Sequence, residues 1–100
     1  EPPPSRNLRL DDGQGPLRGA AIPDLIEGRT FSVADIASDP RTAHAAAEIR
    51  DVARASAVIH VPLMRGGRIG AVLFVHSLEP RAWTEADIRL VEEVAGRTWE

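Results

Sequence analysis

One hundred residues, 43% hydrophobic and 27% charged, suit one globular domain with one modest core, and no apolar run approaches the ~18 residues that span a bilayer. The absence of cysteine excludes disulfides, thiolate zinc sites, cysteine nucleophiles and thioether-linked chromophores. A formal charge of -3 gives no basic field for a polyanion, so nucleic acid is not an expected partner, although every basic residue among the 12 Lys+Arg is arginine.

Glu1 to Ser5 is a proline run that stays extended and resembles no signal peptide, so the expected setting is cytoplasmic. Arg6 to Leu10 alternates polar and apolar residues, as a short half-buried strand does, before the Asp11-Asp12-Gly13 turn. From Pro16 to Glu27 the apolar residues Leu17, Ala21, Leu25 and Ile26 fall at helical spacing. Gly19 and Pro23 interrupt them, which predicts two short turns of helix, with Gly28 as the stop. Thr30 to Ile36 reads as a strand that ends at Ser38-Asp39-Pro40. Thr42 to Ala55 follows as an amphipathic helix, with Ala43, Ala46, Ile49, Val52 and Ala53 on its apolar face.

Ser56 to His76 comprises two apolar runs joined by Gly66-Gly67, the pattern of a β-hairpin whose turn needs positive φ. If Arg65 pairs with Arg68 and the register continues unbroken, one face carries Ile59, Val61, Leu63, Val72, Phe74 and His76. The other then carries Val58, His60, Met64, Ile69, Leu73 and Val75. Both faces are apolar, so both should be covered, one by helices and the other by loops or a ligand. Thr84-Glu85-Ala86-Asp87 forms a capping box that opens a last helix, in which Ile88, Val91, Ala95 and Trp99 make one stripe running toward the chain end. The order of elements is α+β, around an antiparallel sheet.

The hairpin residues Val58 to Leu63, Arg65-Gly66-Gly67-Arg68 and Gly70 to Phe74 resemble the penultimate hairpin of GAF domains. Leu73 to Thr84 with Leu90 to Trp99 is similar to the GAF domains of bacterial PAS/GAF sensor histidine kinases, and Gly28-Arg29-Thr30 and Asp35-Ile36 to Pro40-Arg41 match their preceding strand and loop. The resemblance covers Leu8 to Glu100 and corresponds to the C-terminal two-thirds of such a domain, with residues 1–100 as a single, partial unit. It implies a GAF-like, PAS-related fold: an antiparallel sheet flanked by helices, incomplete at its N-terminus. It also implies a regulatory sensory module of a cytoplasmic signalling protein, a histidine kinase with adjacent PAS or kinase domains. Such a module binds a small molecule or relays a signal through a dimeric C-terminal helix. The alternative is a dimerisation and spacer domain with no ligand.

Phytochrome-type GAF domains carry a Cys-His-His run at the position of Val75-His76-Ser77, but with no cysteine here a covalent bilin is not expected. The methionine-sulfoxide-reducing GAF enzymes need cysteines and are excluded on the same ground. No catalytic grouping can be assembled: Glu92 and Glu93 point about 100° apart on a helix, and Arg65 and Arg68 flank an exposed turn. The residues expected at a ligand are His76, Phe74 and His60, with Phe74 in the core and His76 at a pocket rim. In the unbroken register His60 and His76 lie on opposite faces and share no metal ion, although a bulge would reverse that. In a homodimer, the interface would be Ile88, Val91, Ala95 and Trp99.

Overall fold

The computed structural model describes residues 15–98, so the expected strand at Arg6 to Leu10 and the side chain of Trp99 lie outside the described residues. The elements are α1 (Pro16–Ile26), β1 (Phe31–Val33), a 3₁₀ turn (Ala43–Ala45), α2 (Ala46–Ala53), β2 (Ala57–Arg65), β3 (Arg68–Ser77) and α3 (Glu85–Thr98). The strands make one antiparallel sheet in the order β1-β2-β3.

Helix α1 is continuous where the sequence predicts two separate turns, with Pro23 inside it. A proline there removes one backbone hydrogen bond, but Leu17, Ala21 and Leu25 are buried on one face, and that packing holds the helix across the gap. Its end follows expectation. Gly28 takes φ 78° and donates to the Leu25 carbonyl at 3.0 Å, while the Arg29 N–H reaches the Asp24 carbonyl at 2.9 Å. These two bonds satisfy carbonyls that the helix end would otherwise leave open.

β1 is only three residues long, because beyond Val33 the chain turns: Asp35 accepts from the Ala37 N–H, and Ile36 donates to the Ser56 carbonyl. The alanine-rich segment begins as a 3₁₀ turn and becomes α-helical only at Ala46. Ile49 is its buried anchor, whereas Val52 is 75% exposed and Ala43 is exposed, so the apolar face is narrower than the spacing suggests. Arg54 closes α2 in the left-handed region, at φ 56°.

The hairpin turn is as expected, with Gly66 at φ 62° and Gly67 at φ 81°, a pair of positive values that glycine adopts without a Cβ clash. Pro62 lies within β2 but past the end of β1, where β2 pairs on one side only. Thr84 and Asp87 form the capping box reciprocally, Asp87 N–H to Thr84 Oγ1 and Thr84 N–H to Asp87 Oδ2, both at 3.0 Å. The Asp87 carboxyl sits below its usual range, chiefly because the Thr84 backbone N–H stabilises its charged form.

Helices cover both faces of the sheet. On one side α1 and Ile49 of α2 pack with Phe31, Val33 and Val58. On the other, where loops or a ligand were expected, Ala95 of α3, with Ile88 and Val91, packs on Ile59, Val61 and Leu63. Trp83 pins the start of this layer by donating its indole N–H to the Val33 carbonyl at 3.0 Å.

Candidate functional site

The hairpin register begins as the turn dictates, Arg65 opposite Arg68 and Met64 opposite Ile69, but Leu63 then faces Ala71. Gly70 is therefore an extra residue on β3, a bulge at the glycine. Past it the faces exchange: His60 lies opposite Phe74, Ile59 opposite Val75 and Val58 opposite His76. This corrects the unbroken register, since a one-residue offset turns every later side chain to the other side of the sheet. An isolated glycine inside a strand pattern is the sequence signal for it.

The bulge places His60, Phe74 and His76 together on the face that also carries Phe31, which lies opposite His60 on β1. Four rings result in a cross-strand group. Phe31 and His60 are 5.9 Å apart and tilted, His60 and Phe74 5.1 Å, and Phe74 and His76 5.0 Å and stacked at 19°. The two imidazoles stack at 23°, with Nε2 to Nε2 at 3.2 Å. As a hydrogen bond this requires one Nε2 to carry the proton and the other to accept it.

His60 is buried at 7% exposure, and its pKa falls to about 3, first through desolvation and then through the charge His76 would carry. It is neutral across the physiological range. Phe74 is half-buried, not in the core as expected, because β3 is the edge of the described sheet. His76 is half-buried as well.

Arg41 closes the Phe31 end of this group, its guanidinium 4.7 Å from the ring centroid. It is held there by Asp39 at 2.8 Å and by the Ser32 carbonyl at 2.7 Å. Hydrogen bonding to Arg41 keeps the Asp39 carboxyl below its usual range. Neither residue stands out in the sequence, where the Asp-Pro-Arg turn reads only as punctuation.

An open cleft of about 330 Å³ lies where β3 meets α3, lined in part by Ile59, Val75, His76, Trp83 and Leu90. Arg81 and Asp87 stand at it, 3.5 Å apart, with Arg81 stacked over Trp83 at 5.0 Å. His76 is among the residues at this cleft, although its ring stacks with His60 and Phe74 on the opposite face of the sheet from Ile59 and Val75. Among the described residues no group of three or more metal-ligating side chains occurs, and no helix is long and apolar enough to cross a membrane.

The family model described as "GAF domain" matches residues 2–100. The chain belongs to the GAF domain family. Solved structures agree. The GAF domain of Thermosynechococcus elongatus PixJ, in its blue-light absorbing form, is 26% identical with a TM-score of 0.60, covering 71% of this chain and 42% of its own. The GAF domain of the cyanobacteriochrome TePixJ shares the fold at 24% identity and a TM-score of 0.65, over 93% of this chain and 57% of its own. This GAF chain therefore spans about half the length of the solved relatives it matches. No curated protein matches it. The likeness to cyanobacteriochrome GAF domains supports a sensory, regulatory role.

Proposed function

We propose that this GAF chain is the sensory part of a cytoplasmic signalling protein, a sensor histidine kinase with adjacent PAS or kinase domains, and that it binds a small molecule against the hairpin. The observation that carries this reading is the gathering of His60, Phe74 and His76 on one face, with the last two half-buried and so reachable. Flat apolar rings give a planar ligand contact area, and imidazole nitrogens give it a donor or acceptor. In this reading the domain regulates and does not catalyse.

A thermal-shift screen of the full chain against tetrapyrroles, cyclic nucleotides and small metabolites tests the reading. A ligand at 100 times its dissociation constant adds about 2.7 kcal/mol, which raises the melting temperature of a domain this size by roughly 10 °C or more. His76→Ala should reduce that shift. A flat response across the panel would instead favour the dimerisation and spacer domain.

The relay reading is supported by α3. Ile88, Val91 and Ala95 are engaged with the chain's own sheet, but Leu90 on the outward flank is 60% exposed. A homodimer would therefore use the Leu90 flank, with the inner stripe transmitting its movement to β2.

A further inference from the structure

We propose that His60 and His76 form a two-point clamp for a late first-row divalent transition-metal ion. Two imidazole nitrogens on one tetrahedral ion, each about 2.0 to 2.1 Å from it, are separated by roughly 3.3 Å. The two Nε2 atoms stand at 3.2 Å. The pair therefore holds ligand spacing already, at the long end of the hydrogen-bonding range, and little movement is needed to admit an ion between the ring edges.

Both residues sit on paired strands, which fixes their backbones relative to one another better than loops would. The bulge at Gly70 is what makes the clamp, because without it the rings point to opposite faces. Binding must first free both lone pairs. The donating ring takes its other tautomer, with its hydrogen moved from Nε2 to Nδ1 by exchange with solvent, and each neutral ring then gives its Nε2 electron pair to the metal.

Imidazole suits Cu²⁺, Ni²⁺ and Zn²⁺ and not Mg²⁺. Two protein ligands leave further positions to water, and His76, the less buried of the two, is the more open side of the pair. Arg41 stands on this face beyond Phe31, and its charge is balanced by Asp39 and Asp24. The inference rests on the geometry of the pair and not on an organic ligand, so bare ions test it without deciding the sensing reading.

The experiment is a calorimetric titration of the full chain with Ni²⁺, Cu²⁺ and Mg²⁺, repeated in His76→Gln, His60→Gln and His44→Gln. His44, the third of the 3 histidines, is exposed and serves as the control. One Ni²⁺ or Cu²⁺ per chain should bind, at least about tenfold more weakly after loss of either clamp histidine and unchanged in the control. Cu²⁺ should show nitrogen hyperfine splitting from two imidazoles in its electron paramagnetic resonance. His76 is half-buried, so His76→Gln remains informative even if His60→Gln does not fold. No Ni²⁺ or Cu²⁺ binding up to about 1 mM, equal binding of Mg²⁺, or unchanged affinity in His76→Gln would overturn the proposal.

Discussion

The two strands of the hairpin have nearly the same composition and opposite fates. β2 is buried at every position from Ala57 to Leu63, while no residue of β3 is fully buried. The difference is position in the sheet. β2 has β1 on one side, β3 on the other and helices above and below, whereas β3 has a strand on one side only among the described residues. Hydrophobicity states how much a residue gains from burial, and topology decides whether burial is delivered.

The sharpest way to break this comparison uses the cross-strand partners Ile59 and Val75, which share a face. Ile59 has 0% exposure, so Ile59→Ala should cost about 2 to 5 kcal/mol in urea unfolding. Val75→Ala should cost about 1 kcal/mol or less, because that side chain is only partly buried. Equal losses would mean that β3 is as buried as β2.

A smaller effect separates the strands by pH. His60 on β2 has a folded pKa near 3 against an ordinary 6.5, so below 6.5 the unfolded chain binds the extra proton. Its contribution is complete above pH 6.5 and is lost as the pH falls toward 3. Each unit of that descent costs roughly 1.4 kcal/mol, or about 2 kcal/mol between pH 6.5 and 5, a window that precedes most carboxylate titration. Urea melts across this range should show the slope, and His60→Leu should flatten it.

The smallest test concerns the join. A Cβ added at Gly67, where φ is 81°, would meet open space, so the penalty of Gly67→Val comes from backbone conformation alone, about 1 to 2 kcal/mol by thermal melting. An unchanged melting temperature would show that the turn relaxes to another type without strain.

Much of the scaffold is legible in the sequence because its signals are local. Gly66-Gly67 demands a primed turn, Thr84 and Asp87 cap a helix within one turn, and Gly28 ends α1 through neighbouring carbonyls. Local signals fail where packing overrides them. Pro23 should break α1, yet the buried row Leu17, Ala21 and Leu25 carries the helix through it. Val52 has the right spacing for the core, but α2 is short and settles on Ile49. His60, Phe74 and His76 can be named from the sequence but not brought together, because their shared face depends on where β3 absorbs one extra residue. Gly70 marks that place, but its meaning shows only across the turn, where Leu63 pairs with Ala71 and leaves Gly70 unpaired.

The outer side of β3 also bears on how this chain behaves at high concentration. Among the described residues β3 pairs with a strand on one side only, and its outer backbone donors and acceptors, interrupted at the Gly70 bulge, meet no other described strand. Natural sheets blunt such edges with lysine, proline, a bulge or a covering segment, and an edge left uncovered pairs with any extended strand, including its own copy. Self-association through β3 would join two sheets into one, an assembly distinct from a helical dimer.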